Sequence, residues 1–210
     1  KELDEIKSVY KENQILMIGF NRRFAPLVIK LKKMLSKFPG KKAFIYTCNA
    51  GYLPNNHWLK DPIKGGGRLI GEACHFIDLL VFLSDNLIED SSYFFIEGEK
   101  DSRDTFSINL KFADGSIGTL NYFENGSKAF PKERVEVFCD GNIFRLDNFK
   151  KLKYWGNKGF RDFRNFMQDK GHINCARAFL SSINNRKGSP IPFEEICNTH
   201  EVIFKLLKSN

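Results

Sequence analysis

The segment Lys64–Leu83, with the sequence KGGGRLIGEACHFIDLLVFL, joins a triple glycine to an apolar helical pattern. Three successive glycines allow backbone conformations that other residues avoid, and they let a ligand approach closely. The apolar residues that follow recur three or four positions apart, which predicts a helix. On that helix Glu72, His75 and Asp78 also lie three positions apart, so that one stripe carries two carboxylates and an imidazole.

His75 is the candidate for proton transfer in this segment. A histidine one or two turns into a helix that follows a glycine-rich loop is well placed for general acid–base catalysis. The pattern alone leaves a second interpretation open, namely a core histidine that is satisfied by hydrogen bonds. The glycines do not form a dinucleotide-binding fingerprint, because their spacing is G-x-G-x-x-x-G and they follow a proline-containing loop.

Composition narrows the class of protein. A chain of 210 residues with 42% hydrophobic and 28% charged residues is typical of a soluble globular protein. No apolar run reaches the roughly 18 residues that span a bilayer, so we expect no membrane partner. The opening stretch KELDEIKSVYKENQ is charged and amphipathic, which argues against a secretory signal. The net charge of +8 favours an anionic partner, with a solvated lysine-rich surface as an equal alternative.

Cysteine usage indicates the compartment. The five cysteines stand at positions 48, 74, 139, 175 and 197, an odd number without a C-x-x-C pair. We therefore expect free thiols in a reducing cytoplasm and no metal site.

The remaining periodicities predict an α+β fold. Helical patterns cover residues 2–12, 26–38, 173–184 and 193–208, and Gln14–Phe20 is a short apolar run typical of a strand buried on both faces. Alternating or apolar strand patterns cover 42–49, 92–98, 104–114, 116–123, 133–139, 143–147 and 150–155. Asp114-Gly115 and Asp140-Gly141 predict hairpin turns. This order predicts a mixed, largely antiparallel open sheet with helices on one face.

The other face of that sheet is expected to form a subunit contact. We place Leu120, Tyr122 and Phe138 on it, which makes it less polar than a solvated face should be. A homo-oligomer through the open sheet face is therefore predicted. Residues 149–170 interleave basic and aromatic side chains, a mixture that can bind single-stranded nucleic acid. Half-buried aromatics in a strand and loop are the more common origin of this pattern, so we expect no nucleic acid partner.

Two further segments have the composition of a ligand site. Arg22 and Arg23 follow the predicted strand at its carboxyl end, where ligands collect in open α/β sheets. They are expected to hold a carboxylate, a phosphate or a sugar hydroxyl, or alternatively to pair with acids of the protein. The loop before the triple glycine mixes hydrogen-bonding and aromatic side chains, as sugar sites do, although surface loops are polar in any case. Its candidates are Asn49, Tyr52, Asn55, Asn56, His57 and Trp58.

Three ordered motifs resemble one family. The run Gly65-Gly66-Gly67-x-Leu69 … His75-x-x-Asp78-Leu79-Leu80 resembles the signature of the Gfo/Idh/MocA oxidoreductases. Upstream, residues 18–26 (IGFNRRFAP) resemble the last Rossmann strand of these enzymes and the turn after it. Downstream, Asp169-Lys170-Gly171-His172 … Ala178-Phe179 … Pro190-Ile191-Pro192 resembles their closing helical region.

The resemblance implies a function and a domain division. It implies a C-terminal domain like those of dihydrodipicolinate reductase and glucose-fructose oxidoreductase, in which His75 acts in hydride transfer to or from a sugar or polyol. NAD or NADP would be bound mainly by an N-terminal Rossmann domain that this chain lacks, with a catalytic lysine in a Glu-Lys-Pro motif. Residues 1–24 would be the tail of that domain, its helix and last strand, and residues 25–210 the substrate-binding and oligomerisation domain.

The resemblance also assigns roles to residues. His75 and Glu72 are the catalytic candidates, and Asn21 and Arg22 would contact the cofactor. The substrate wall would comprise Arg22, Arg23, Asn49, Tyr52, His57, Trp58 and Asp78. We expect Glu72 and Asp78 to raise the pKa of His75, and His172, a helix-start residue, to act mainly on stability.

The chain departs from the family signature at one position. Many members have aspartate four residues before the histidine, where this chain has Gly71, with Glu72 beside it. One residue along a helix rotates a side chain by about 100°, so Glu72 need not take over the role of the aspartate. The variant Gly71-Glu72-Ala73-Cys74-His75 looks closest to members from polysaccharide and sugar-nucleotide pathways. A non-catalytic binding or assembly module on the same fold is the alternative.

Overall fold

The alternating segments of the sequence form one eight-stranded sheet. The structure, a computed structural model, describes residues 2–54, 56–61, 63–98 and 103–208. Across the sheet the order is β2-β3-β4-β1-β5-β6-β7-β8, in which β1 and β4 pair in parallel and the other neighbours antiparallel. The strands are β1 (Ala43–Asn49), β2 (Ile88–Ile96), β3 (Thr105–Phe112), β4 (Ile117–Phe123), β5 (Glu133–Cys139), β6 (Asn142–Asp147), β7 (Lys151–Trp155) and β8 (Phe163–Arg164). The predicted mixed, largely antiparallel sheet is confirmed.

Helices cover one face of this sheet. Pro26 begins α2 at a position where its missing N–H costs nothing, and α3 is buried over most of its length because it is apolar on nearly every side. The core lies between these helices and the sheet. The helices are α1 (Glu2–Val9), α2 (Pro26–Leu35), α3 (Cys74–Ser84), α4 (His172–Asn184) and α5 (Phe193–Lys208), with 3₁₀ turns at Asn21–Phe24 and Trp58–Lys60 and a π-helical turn at Leu69–Ala73.

The predicted strand Gln14–Phe20 is wrong, because this segment pairs with no strand of the described residues. A strand needs neighbours for its backbone groups, and here other partners take them. The Leu16 N–H donates to Ser189 Oγ at 2.9 Å, and the Phe20 N–H donates to the Ile18 carbonyl at 2.7 Å. The bounds of two other elements differ from the prediction: α1 ends at Val9 and not at residue 12, and β2 spans Ile88–Ile96 and not 92–98. The short strand β8 was not predicted.

The predicted face of Leu120 and Tyr122 is also wrong. Both side chains are fully buried under the helices, whereas Phe138 lies on the open face as predicted. Because strand side chains alternate with a period of two, assigning a strand one residue out of phase moves its whole apolar set to the other face. On the open face, Ile117 and not Leu120 is an exposed apolar side chain of β4. Asn55, one of the polar loop candidates, lies outside the described residues.

Candidate active site

The glycines before His75 serve close packing between the loop and the helix. A Cβ at Gly65 would lie 2.5 Å from the Cα and the carbonyl oxygen of Leu59, and one at Gly71 would lie 2.5 Å from Leu59 Cδ1. Gly66 and Gly67 have φ values of 67° and 80°, which favour glycine. The side chain of Leu59 therefore occupies the space that an aspartate at position 71 would need.

His75 lies at the start of α3, in the first turn after the π-helical turn. Its Nδ1 atom is buried and has no hydrogen-bond partner among the described residues, and its ring meets that of Phe20 edge-on at 5.7 Å between centroids. Burial lowers the pKa of the imidazole from 6.5 to about 4, and the positive charge of Arg22 adds to this shift. Our prediction of a raised pKa is therefore wrong: Glu133 and Glu72 oppose the shift but are outweighed.

Glu133 organises one group of charges beside His75, which we call the Glu133 cluster: Glu133, Arg22, Lys170 and Tyr46. The carboxylate is 1% exposed. It accepts two hydrogen bonds from Arg22, at 2.7 Å and 3.1 Å, one from Tyr46 at 2.5 Å and one from Lys170 at 2.6 Å. Burial by itself would raise the pKa of Glu133, but Arg22 and Lys170 outweigh it and lower the pKa to about 2.

Glu72 organises a second group with the same composition, the Glu72 cluster: Glu72, Arg68, Lys132 and Tyr122. Arg68 donates to Glu72 Oε2 at 2.7 Å and to the Tyr122 hydroxyl at 2.6 Å, and that hydroxyl donates to the same carboxylate. Lys132 Nζ lies 3.4 Å from Glu72 Oε1. Burial would raise the pKa of Glu72, but Tyr122, Lys132 and Arg68 together lower it.

The strand register brings the two clusters together. Cys48 of β1 is opposite Tyr122 of β4 on one side and opposite Glu133 of β5 on the other. Adjacent strands lie about 4.8 Å apart, so the two clusters begin about 10 Å from each other. Phe76, the residue after His75, packs on the Tyr122 ring and under the guanidinium of Arg22. The start of α3 therefore lies over β1 and β4, the parallel pair, through the contacts of Phe76 with Tyr46 and Tyr122.

Arg23 and Asp78 form a separate buried pair. Arg23 donates two hydrogen bonds to Asp78, at 3.0 Å and 2.5 Å, and a third to Glu195 at 2.7 Å. Asp78 is 0% exposed. For both arginines, the interpretation as partners of internal acids is the one that the geometry supports, and the roles of Arg23 and Asp78 in binding substrate stay predictions without a contact in their favour.

The loop between β1 and the triple glycine is anchored at several points and exposes two aromatic rings. Lys60 lies 2.7 Å from Glu124 and 3.2 Å from Asp104. Arg68 Nη2 donates to the Gly51 carbonyl at 3.0 Å. Tyr52 and Trp58 are 59% and 61% exposed.

The other polar candidates of this region hold the loop or the site together. His57 accepts the Leu59 N–H at 3.2 Å. Asn49 donates to the carbonyls of Ser127 and Phe130. Asn21 donates to the Lys170 carbonyl at 2.8 Å, so its amide is already engaged inside the protein.

Sequence reasoning missed most members of the two clusters. Glu133, Tyr46, Arg68, Lys132, Tyr122 and Lys170 were not assigned to the site. A signal existed for Glu133, because the alternation in β5 places it on the same face as the buried Val135 and Val137. A carboxylate on an apolar strand face needs a buried partner. Lys170 lies in a motif that the family resemblance had already singled out.

The cysteines and the other possible ligand groups of the described residues add no further candidate site. All five cysteines are free, as predicted, and all five are buried; burial raises the pKa of Cys48 to about 12. Within the described ranges, no group of three or more histidine, cysteine or acidic side chains is arranged to hold a metal ion. A search of the same residues finds no helix that is both long and apolar enough to cross a bilayer.

The fold is similar to that of solved dehydrogenases. Levoglucosan dehydrogenase in complex with NADH and L-sorbose shares 18% identity and a TM-score of 0.78 over 97% of this chain. For UDP-N-acetylglucosamine 3-dehydrogenase GnnA from Acidithiobacillus ferrooxidans, the sequence identity is 17% and the TM-score 0.77 over 98% of this chain. For dehydrogenase MviM from Clostridium difficile, the identity is 22% and the TM-score 0.76 over 99% of this chain. The chain spans 65 to 66% of the length of these three proteins. At such identities the similarity establishes the fold alone.

A family model defines the protein more closely. Residues 39–145, just over half of the chain, match the GFO/IDH/MocA C-terminal domain. The chain therefore belongs to the Gfo/Idh/MocA family, as its motifs predicted. The match includes the helix that carries His75 and the strand that begins at Glu133.

Proposed function

We propose that this chain is the substrate-binding and catalytic domain of an NAD(P)-dependent dehydrogenase that acts on a hydroxyl of a sugar, polyol or sugar nucleotide. One observation carries the proposal: a half-buried imidazole has no hydrogen-bond partner at Nδ1 among the described residues, and its pKa responds to the charges of Arg22, Glu133 and Glu72, whose clusters meet at the carboxyl ends of β1 and β4. Ligands of open α/β sheets bind at such strand ends.

In this proposal His75 accepts the proton of the substrate hydroxyl, with the lowered pKa making it a weaker base than a free imidazole. Because burial and Arg22 lower its pKa to about 4, the imidazole is neutral at pH 7 and has a free lone pair. Glu72 is a positioning group in this proposal, since its two oxygens are engaged by Arg68, Tyr122 and Lys132. Tyr52 and Trp58 supply exposed aromatic faces on which a sugar ring can pack.

The nicotinamide would accept or supply the hydride, and it needs a site beyond the described residues. Those residues contain no strand, glycine-rich turn and helix in succession, which dinucleotide sites require. Gly65 is occupied by packing against Leu59 instead. We therefore propose that NAD or NADP binds mainly to a Rossmann domain outside this chain. Millimolar NAD or NADP should not shift the melting temperature of this chain, whereas a ligand at 100 times its Kd adds about 2.7 kcal/mol.

The identity of proteins with the same fold supports the proposal, because solved structures among them are sugar and sugar-nucleotide dehydrogenases. The free thiols are consistent with a reducing compartment, and we propose a cytoplasmic protein. We further propose a homo-oligomer through the open sheet face. There, one cross-strand row is apolar over five strands, formed by Ile117, Ala43, Phe138, Ile143 and Trp155.

The decisive experiment uses the polypeptide that joins this chain to a nicotinamide-binding domain. His75→Ala should lower kcat by about 10²–10⁴-fold, the usual contribution of a general acid or base, and leave cofactor affinity unchanged. His172→Ala, at the exposed first residue of α4, is the matched control and should act mainly on stability. Reduction of NAD(P) is followed by absorbance.

A second function is favoured by Gly71. Because Leu59 fills the place of the family's aspartate, one group that usually accompanies the histidine is absent. A non-catalytic binding module on the same fold would have this property. It becomes the better conclusion if purified His75→Ala oxidises sugars at the wild-type rate, or if the wild-type protein oxidises none.

A further inference from the structure

Two buried carboxylates lie together where β3 begins and β4 ends. Asp104 directly precedes β3, and Glu124 directly follows β4. The antiparallel register pairs Phe106 with Tyr122, and it carries Asp104 and Glu124 onto the same helix-covered face. Like charges opposite each other on neighbouring strands destabilise a sheet. Burial and the neighbouring Glu124 accordingly raise the pKa of Asp104.

The cation that faces these acids comes from the loop between β1 and the triple glycine. Lys60 Nζ lies 2.7 Å from Glu124 Oε1 and 3.2 Å from Asp104 Oδ2. Burial by itself would lower the pKa of Lys60, but the two carboxylates outweigh it and raise the pKa, so the ammonium group is charged. Because the sheet fixes both acids, their attraction for Lys60 also fixes the loop.

The same ammonium group lies over the ring of Tyr52, 5.3 Å from the ring centroid. A cation at this distance is attracted by the face of an aromatic ring. Lys60 thus takes one face of the ring, while Tyr52 stays 59% exposed. Trp58, the other exposed aromatic residue of the loop, has no such cation among the described residues, and its ring lies 5.9 Å from that of His57.

The backbone on both sides of Tyr52 is held as well. The Gly51 carbonyl accepts a hydrogen bond from Arg68 Nη2 at 3.0 Å, and the Leu53 N–H donates to Glu124 Oε1 at 3.4 Å. Tyr52 is therefore fixed at its ring and at both of its neighbours. A group that binds a ligand precisely needs this kind of support from the residues behind it.

Arg68 connects Tyr52 with the charges beside His75. Its Nη1 atom donates to Glu72 at 2.7 Å, while Nη2 donates to the Gly51 carbonyl. One planar guanidinium group therefore reaches from the Glu72 cluster to the residue before Tyr52. A sugar ring that packs on Tyr52 is in this way placed relative to charges that act on the His75 imidazole.

We propose that Lys60 is a positioning residue for the substrate, which holds the Tyr52 ring so that the free face of this ring packs against the sugar. The inference rests on the proposed function. It assigns Lys60 a role in substrate affinity that acts through Tyr52, and no role in the chemical step. Asp104 and Glu124 hold Lys60, so the sheet sets the orientation of the ring.

The test measures binding and turnover in the polypeptide that joins this chain to a nicotinamide-binding domain. The probes are glucose and UDP-glucose, a neutral sugar and a sugar nucleotide. Tyr52→Ala should weaken binding about five- to tenfold, as expected for the loss of one packed aromatic face. Lys60→Met keeps the aliphatic stem and removes the charge. It should raise the Kd and the KM about threefold and leave kcat within about twofold.

A double-mutant cycle separates positioning from a merely structural effect. In the Tyr52→Ala background, Lys60→Met should cause no further loss of affinity, because the ring on which it acts is gone. In the Trp58→Ala background, the full effect of Lys60→Met should remain. Lys60→Arg should restore wild-type affinity, since a guanidinium group also pairs with carboxylates and stacks on aromatic faces.

Lys32→Met is the matched control. Lys32 also pairs with a carboxylate and lies over an aromatic ring, that of Phe82 at 5.2 Å, but it belongs to α2. Its substitution should change neither KM nor kcat. If Lys60→Met does not fold, its combination with Asp104→Asn takes its place, since this pair removes one cation and one anion together, and the same threefold effect is expected.

Three outcomes would overturn the inference. They are a wild-type KM and Kd in Lys60→Met, an undiminished effect of Lys60→Met without the Tyr52 ring, and no binding of either probe. Failure of the proposed function is distinguishable from these. If a sugar is oxidised in a His75-dependent manner with the wild-type KM in Lys60→Met, the function stands and the positioning role is excluded. If the probes bind through Tyr52 and Lys60 but nothing is oxidised, the positioning role stands and the dehydrogenase assignment is wrong.

Discussion

The two faces of the sheet differ in how they accommodate an energetically unfavourable side chain, a buried carboxylate on one face and an exposed aromatic ring on the other. Strand β5 contributes to both faces. On the helix-covered face, Glu133 is 1% exposed and collects hydrogen bonds from three side chains. On the open face, Phe138 of the same strand is 37% exposed and has no cover in the described chain. A buried charge must be satisfied inside the protein, whereas an exposed apolar row can be covered by another molecule. Glu133 therefore belongs to the candidate site, and Phe138 to the proposed subunit contact.

Removing the Glu133 charge should cause the largest loss of folding stability. Glu133→Gln keeps the shape but leaves Arg22 and Lys170 without their counter-ion, and breaking a buried ion pair in this way costs about 3–5 kcal/mol. Glu136→Gln, three residues along β5 on the open face, should stay within about 0.5 kcal/mol. Urea unfolding of both variants measures the difference. Similar stabilities for the two would mean that Glu133 is not the anchor of the covered face.

Adding a methyl group at Gly65, in the variant Gly65→Ala, should cause the next largest loss of folding stability. It would approach the backbone of Leu59 and Trp58 to 2.5 Å, so the loop must move, at a cost of about 1–3 kcal/mol. Gly188→Ala, where a Cβ meets nothing within 4 Å, should be neutral or slightly stabilising. Thermal unfolding compares the two. An unaffected melting temperature in Gly65→Ala would show that the loop is not packed against the helix start.

The lowered pKa of His75 predicts a specific pH dependence. The unfolded chain binds a proton at a pKa near 6.5 and the folded chain only at about 4, so stability is lost as the pH falls from 6.5 towards 4. One such group contributes a slope of at most about 1.4 kcal/mol per pH unit. His75→Gln should lack this component. Asp78, whose pKa burial raises to about 7, also titrates between pH 7 and 5, so the His75 component is the difference between the pH profiles of the wild type and the variant. Parallel pH profiles for wild type and variant would contradict the buried neutral imidazole.

The smallest change in folding stability is expected at Phe138. Phe138→Ser on the open face should alter the unfolding free energy of a protomer by about 0.5 kcal/mol or less, as most surface changes do. It should nevertheless weaken self-association, because Phe138 is central in the apolar row. Sedimentation equilibrium of the wild type at micromolar concentration should show a dimer or larger species. A strictly monomeric wild type would remove the reason for that row to be an interface.

The sequence by itself determined the local elements of this protein. Period-two alternation located most strands, Asp-Gly pairs located two hairpin turns, and the apolar pattern after the triple glycine located the helix of His75. These signals are local, because a strand or helix must present its apolar side chains with its own period. The motifs also identified the family. The one strand that failed, Gln14–Phe20, needed a partner that no local pattern supplies.

The tertiary structure alone decided what surrounds His75. Arg22 and Glu133 are 111 residues apart, Arg68 and Tyr122 are 54 apart, and Lys170 and Glu133 are 37 apart. Which acid pairs with which base depends on distance and burial after folding, since the strength of an ion pair is set by its surroundings. Likewise Glu72 and Asp78 were expected to raise the pKa of His75, but burial and Arg22 lower it. Periodicity places side chains on a face, and only the folded chain places charges beside each other.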